Sequence, residues 1–239
     1  VTNKSARGRK GTIVAMAAGT KAESVIEVID KIPLKRRNQV KEITLDMAGN
    51  MNLIAKKCFP NAVRVTDRFH VQKLATEALQ EIRIKYRWQA IDLENEAIGK
   101  SKKSNRKYEP EILSNGDTLK QLLARSRYFL YKSKCKWSEN QAERAQILFG
   151  LYPNIQTAYN LTQDLRTVFE KTSNKIIAFA RLAKWHEKVN QVGFKSFNAI
   201  SRTITNHYQT ILNYFDNRST NASAESFNAK IKAFRAKFR

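Results

Sequence analysis

From about Val71 to Phe215 the chain keeps a helical apolar period almost without a break, and Gly and Pro, at 8 and 4, supply few residues that could end a helix. Such a stretch folds as a large all-α segment, with breaks at Pro110 to Asp117, Trp137 to Ser138, Tyr152 to Pro153 and Gly193. Ser138 and Gln141 have the spacing of a capping box, which starts a helix at 137–140.

The first seventy residues read differently. Gly11 to Gly19 (GTIVAMAAG) is a short apolar run between glycines and predicts a strand, Asn3 to Lys10 before it predicts a hairpin turn, and Val1 is the tail of a preceding strand. Ala22 to Ile32 carries Val25, Ile26, Val28, Ile29 and Ile32 at helical spacing and stops at Pro33. Val40 to Met47 alternates as a strand, Asn50 to Phe59 reads as a helix ended by Pro60, and Ala62 to Phe69 is a further strand. Parallel pairing follows wherever a helix intervenes, and Asp46 and Asp67 then fall near the C-terminal strand ends, where open α/β sheets build active sites.

Charge narrows the partner. Lys and Arg number 44 against 21 Asp and Glu, for a net charge of +23 and a pI near 10.1. Self-repulsion on that scale is offset by a polyanion, and nucleic acid is the first candidate. With 42% hydrophobic and 10% aromatic residues the chain can bury a core, which excludes a disordered basic tail. No run approaches the roughly 18 apolar residues that span a bilayer, and the N-terminus lacks a signal-peptide core, so the expectation is a cytoplasmic protein without a membrane partner. Cys58 and Cys135 form no CxxC pair, which leaves neither a disulfide framework nor a zinc finger, and both read as buried small hydrophobes. Lys100 to Lys107 (KSKKSNRK) reads as an exposed loop, solvated or in contact with DNA.

Three acids stand out, each with an ordinary alternative. Asp46 ends an apolar strand before a small MAGN turn, where a turn or N-cap Asp is common. Asp67 and His70 form D-R-F-H, which an Asp capping the next helix explains equally well, although His70 could also orient a carboxylate or touch a phosphate. Glu225 lies in the first turn of a C-terminal amphipathic helix whose stripe is Phe227, Ile231, Phe234 and Phe238. Helix-dipole compensation alone would place an acid there. The surrounding Lys230, Lys232, Arg235, Lys237 and Arg239 suit a site where a divalent cation meets a phosphate backbone.

LDMAGNMNLIAKKCFPNAVRVTDRFHVQKLATEALQEIR resembles the central block of the ISL-three group of DDE insertion-sequence transposases, and TNASAESFNAKIKAFRAKFR resembles their C-terminal acidic helix. The resemblance covers nearly the whole chain. It implies an α/β, RNase H-like mixed-sheet core interrupted by a large all-α insertion, helix-rich overall. The core begins in residues 1–70, the insertion is 71–216, and 217–239 complete the core. It further implies DNA cleavage and strand transfer with two Mg²⁺ or Mn²⁺ ions. Asp46 matches the second catalytic acid and Glu225 the third, both as metal ligands, and Asp67 and His70 match an auxiliary D-x-x-H element. Arg68, Lys230, Lys232, Arg235, Lys237 and Arg239 are the expected DNA contacts. The expected partners are double-stranded DNA, as element terminal repeats and target, and further copies of the chain on that DNA. The family's first acid lies on the first core strand. Residues 1–10 contain no acid, so that residue is expected upstream of Val1 and the chain alone is expected to be inactive. Two other functions fit the residues: a basic nucleic-acid-binding module whose acids are caps, and an RNase H-like nuclease without strand transfer.

Overall fold

The computed structural model describes residues 1–6 and 8–238. The chain divides into two compact units, one of Val1–Val71, Thr172–Ala180 and Thr203–Arg239, the other of Gln72–Lys171 and Arg181–Arg202.

In the first unit the chain turns back on itself at once. Thr2 and Ile13 form an antiparallel bridge, Asn3 N–H donates to Thr12 O at 2.8 Å, and Val14 N–H donates to Val1 O at 3.0 Å. Residues 3–10 are therefore a hairpin turn, with a 3-10 turn at Lys4–Ala6. The strand expected over 11–19 does not extend past that bridge. Residues 16–21 are exposed and carry no strand ladder, and Thr20 O accepts instead from Asn50 Nδ2 at 2.7 Å.

Helix α1 (Ala22–Asp30) is followed by the short α2 (Leu34–Arg37), then β1 (Glu42–Leu45), α3 (Gly49–Cys58) and β2 (Val63–Thr66). β1 and β2 pair in parallel with Glu42 opposite Val63 and Leu45 opposite Thr66. These are the two strands and the intervening helix read from the alternating runs. The class is helix-rich α/β, with a two-stranded parallel sheet among the described residues where four strands were expected.

Ala22, Ile29, Ile54, Cys58 and Phe59 form the core of this unit, packed by Val25, Ile26, Val40, Ile43, Met51 and Ala62. Fully burying a side chain such as Ile29 contributes about 1.5–3 kcal/mol. Arg37 fastens the helix ends, its Nη1 donating to Asp30 Oδ1 at 2.9 Å and to Cys58 O at 3.1 Å.

Helix α4 (Arg68–Lys103) starts two residues after β2, and from Gln72 it belongs to the second unit. That unit is all helical: α5 (Leu119–Arg125), α6 (Arg127–Leu130), α7 (Glu139–Leu151), α8 (Pro153–Glu170), and parts of α9 (Lys175–Val192) and α10 (Lys195–Asn206). Ser138 and Gln141 do form a capping box, Pro153 opens α8, and Gly193 takes the left-handed φ of +73° that separates α9 from α10. The run Lys100–Lys107 is exposed over most of its length, but α4 continues through its first half and ends where Asn105 adopts φ +54°. Asp117 is buried between Arg144, whose Nε donates at 2.7 Å, and Arg125. Cys135 is exposed, contrary to expectation, because it lies in a 3-10 turn (Lys134–Lys136) with no buried residue, whereas Cys58 is buried.

The C-terminal elements of the first unit are α11 (Tyr208–Leu212), α12 (Tyr214–Asn217) and α13 (Ala222–Ala236). Thr210 and Thr66 share a 2.8 Å hydroxyl hydrogen bond, and Asn213 Nδ2 donates to Arg64 O at 3.0 Å, which pins this segment to β2. No described helix is long and apolar enough to cross a membrane.

Candidate active site

The parallel register builds the floor of the site. Leu45 is opposite Thr66, so Asp46 and Asp67 are the first residues past two adjacent strand ends, and Asp67 N–H still donates to Leu45 O at 2.9 Å. Their backbones are then about 5 Å apart, the spacing of neighbouring strands. Asp46 is half-buried and its Oδ1 accepts from Ala48 N–H at 3.0 Å, a side-chain turn that releases the chain into α3.

Asp67 is 1% exposed and both of its oxygens are engaged. Oδ1 accepts from Phe69 N–H at 3.0 Å, capping the start of α4, and Oδ2 accepts from Asn221 N–H at 2.7 Å, at the start of α13. The helix-cap reading of D-R-F-H is thus correct in its geometry, and the same carboxylate makes a second, long-range bond. His70, in the first turn of α4, directs Nε2 to within 3.8 Å of Glu225 Oε1, beyond a direct hydrogen bond. Its Nδ1 is shielded and has no hydrogen-bond partner among the described residues. Phe69 stands exposed beside it, the two rings edge to face at 5.8 Å.

Asp67, His70 and Glu225 therefore converge. One ligand atom from each lies within 4.8 Å of the others, the one such trio among the described residues. Asp46 stands outside it, on the adjacent strand end. The donor chemistry divides differently. Asp46 and Glu225 offer carboxylate oxygens of the kind Mg²⁺ and Mn²⁺ prefer, while imidazole suits softer ions, and the Asp67 oxygens already accept backbone N–H groups. The carboxylates of Asp46 and Glu225 are thus the donors of the kind that suits a hard divalent cation.

Around the site, Arg68 is half-exposed, and Lys230, Lys232, Arg235 and Lys237 are exposed along α13 without an ion pair among the described residues; Arg239 lies outside those residues. The stripe of α13 is only partly covered, with Phe227 and Ile231 half-buried and Phe234 and Phe238 in tilted ring contact at 4.7 Å in the open. Thr2, Thr12 and Ile13 of the hairpin line a groove with Ser223, Phe227 and Lys230 of α13.

Two participants are not evident from sequence. Lys4 bonds Thr44 and lies 3.7 Å from Glu42 on β1. Burial lowers its ammonium pKa, and the charges of Glu42 and Asp67 oppose that shift. Asn221, within the acidic-helix motif, contributes its backbone N–H, which no side-chain pattern reveals.

No curated protein and no solved structure matches the chain. The family model DDE_Tnp_ISL3, described as Transposase, matches residues 1–239. A match over that span, together with strand-end acids and an acidic helix brought to one place, assigns the chain to the ISL3-group DDE transposase family.

Proposed function

We propose that this transposase chain carries a catalytic core for metal-dependent cleavage and strand transfer at insertion-sequence ends, with Asp46 and Glu225 as its metal-holding carboxylates. The observation that carries the reading is the delivery of Glu225 to the strand end by the Asp67 to Asn221 hydrogen bond, next to the neighbouring strand end that bears Asp46. The core is of the RNase H-like kind, with β1 and β2 as part of its mixed sheet, 71–216 as the helical insertion and 217–239 as the completing segment.

Bound divalent cations supply charge stabilisation at the attacking and leaving oxygens of a phosphodiester displacement. The chain's own residues hold and orient. Asp46 and Glu225 present anionic oxygens, and Asp67 and His70 fix the approach of Glu225. Arg68, Lys230, Lys232, Arg235 and Lys237 neutralise phosphates, as does Arg239, and set the DNA backbone against the acids. The partners are element-end and target duplexes and further copies of the chain assembled on them in the bacterial cytoplasm.

The test is cleavage of element ends by the full transposase with Mg²⁺ or Mn²⁺. Asp46→Asn and Glu225→Gln should each abolish cleavage with DNA affinity nearly unchanged, because the amide keeps shape and loses the anionic ligand. Wild-type cleavage by either variant removes that residue from the catalytic set. Cleavage that survives both variants, with DNA binding intact, favours a binding module whose acids are caps.

A further inference from the structure

We infer that Asp67 is a positioning residue, whose buried carboxylate serves as the N-terminal cap of α13 and so sets where Glu225 stands. The consequence for catalysis rests on the role proposed for Glu225; the tether itself does not.

Helix α13 begins without a cap of its own. Asn221 at its N-cap makes no side-chain capping bond, although Asn is among the best residues for that purpose. Its backbone N–H donates instead to Asp67 Oδ2 at 2.7 Å. The other oxygen, Oδ1, takes Phe69 N–H at 3.0 Å at the start of α4. One carboxylate, 1% exposed, thereby joins the N-termini of two helices, and both helix dipoles present their positive ends to it. Charge-assisted bonds of this kind are roughly twice as strong as neutral ones.

Asp67 is fixed in turn, because its own N–H donates to Leu45 O at 2.9 Å. On the other side, Glu225 N–H donates to Asn221 O at 3.0 Å, so Glu225 is one helical turn from the tethered residue. The path from the β1 strand end to Glu225 is thus four residues linked by three hydrogen bonds. His70 Nε2, in the first turn of α4, also approaches Glu225 Oε1, at 3.8 Å. If Asp67 lets go, the first turn of α13 is free to swing and takes Glu225 with it.

The test is amide hydrogen exchange over residues 225–228 of the 239-residue chain, the first amides of α13 with intrahelical acceptors, paired with cleavage kinetics of the full transposase. In Asp67→Ala, protection of these amides should fall roughly two- to thirtyfold, the range expected when an N-cap is lost. Asp67→Asn should fall less, because its amide oxygen can still accept one of the two N–H groups. Asn221→Pro removes the donor and leaves Asp67 in place, so it keeps the test usable if Asp67→Ala fails to fold. It should match Asp67→Ala, and the double variant should be no worse than either single one. In cleavage, kcat should fall by a similar factor and the half-saturating Mn²⁺ concentration should rise with the loss of α13 protection, because the displaced Glu225 is a proposed ligand, while KM for DNA stays unchanged. Unchanged exchange in both Asp67→Ala and Asn221→Pro overturns the tether. A tenfold rise in half-saturating Mn²⁺ for Asp67→Asn, with α13 protection retained, overturns it in favour of a ligand role. Cleavage by Glu225→Gln, combined with lost α13 protection in Asp67→Ala, supports the tether and sinks only the catalytic reading of Glu225.

Discussion

Asp46 and Asp67 stand at the same level of a parallel pair, each the first residue beyond strand partners Leu45 and Thr66. The two carboxylates nevertheless have different surroundings. Asp67 is sealed in and spends both oxygens on helix N-termini, while Asp46 is half-buried and accepts a single local N–H. Of two acids at equivalent strand positions, one is thus committed to holding the architecture and the other keeps a half-buried carboxylate.

The charge of +23 should dominate DNA binding. Affinity for a random duplex should fall by orders of magnitude from about 50 to 200 mM salt, and each of Lys230→Ala, Lys232→Ala, Arg235→Ala and Lys237→Ala should reduce the salt slope by about one. A flat response in a salt titration followed by fluorescence anisotropy would remove the backbone-directed role of α13.

The second unit should be acid-sensitive through Asp117. Burial pushes this carboxyl up, but the Arg144 hydrogen bond and charge, the Arg125 charge and the Asn115 amide outweigh it and hold it below its ordinary value of 3.8. A carboxyl with a lowered folded pKa contributes stability that is present above its unfolded pKa and lost as pH falls through the folded one. Urea midpoints should therefore drop below about pH 4. Asp117→Asn should flatten that drop and cost about 3 kcal/mol at neutral pH, since it leaves Arg144 without its buried anion. Equal acid sensitivity in the variant would show that other carboxylates control it.

Thiol labelling separates the two cysteines. Cys135 should react promptly with a disulfide reagent in the native state, while Cys58, buried and with its thiol pKa raised first by burial and then by Asp30, should react only on unfolding. Two fast thiols in native protein would contradict the packing of α3.

Much of the first unit is legible in sequence because its signals are local. VKEITLDM alternates, AESVIEVID has a helical stripe, and both form where expected, as does the Ser138 capping box. GTIVAMAAG shows the limit of such signals. Its composition suits a strand, yet a strand exists only with a partner, and this run meets one only briefly among the described residues, at Val1 to Asn3. Helix α4 outruns its expected end because exposed lysines are good helix formers and mark no boundary until Asn105 turns left-handed. Within the site, Asp46, Asp67, His70 and Glu225 could be nominated from type and context. The bond from Asp67 to the Asn221 backbone could not, since it joins distant segments through an N–H that every residue but proline carries.

The central claim is that Asp46 and Glu225 hold the same divalent cation, and Mn²⁺ binding to the 239-residue chain with an element-end duplex, followed by electron paramagnetic resonance of the free ion, tests it most directly. Asp46→Asn and Glu225→Gln should each weaken binding about tenfold or more, and the double variant should bind more weakly than either single one, because each removes a ligand of the same ion. His70→Ala should weaken affinity less than either carboxylate variant, because its Nε2 stands 3.8 Å from Glu225 Oε1, beyond a direct hydrogen bond. Wild-type affinity in Asp46→Asn, together with loss of binding in His70→Ala, would place the ion on Asp67, His70 and Glu225 and contradict the account.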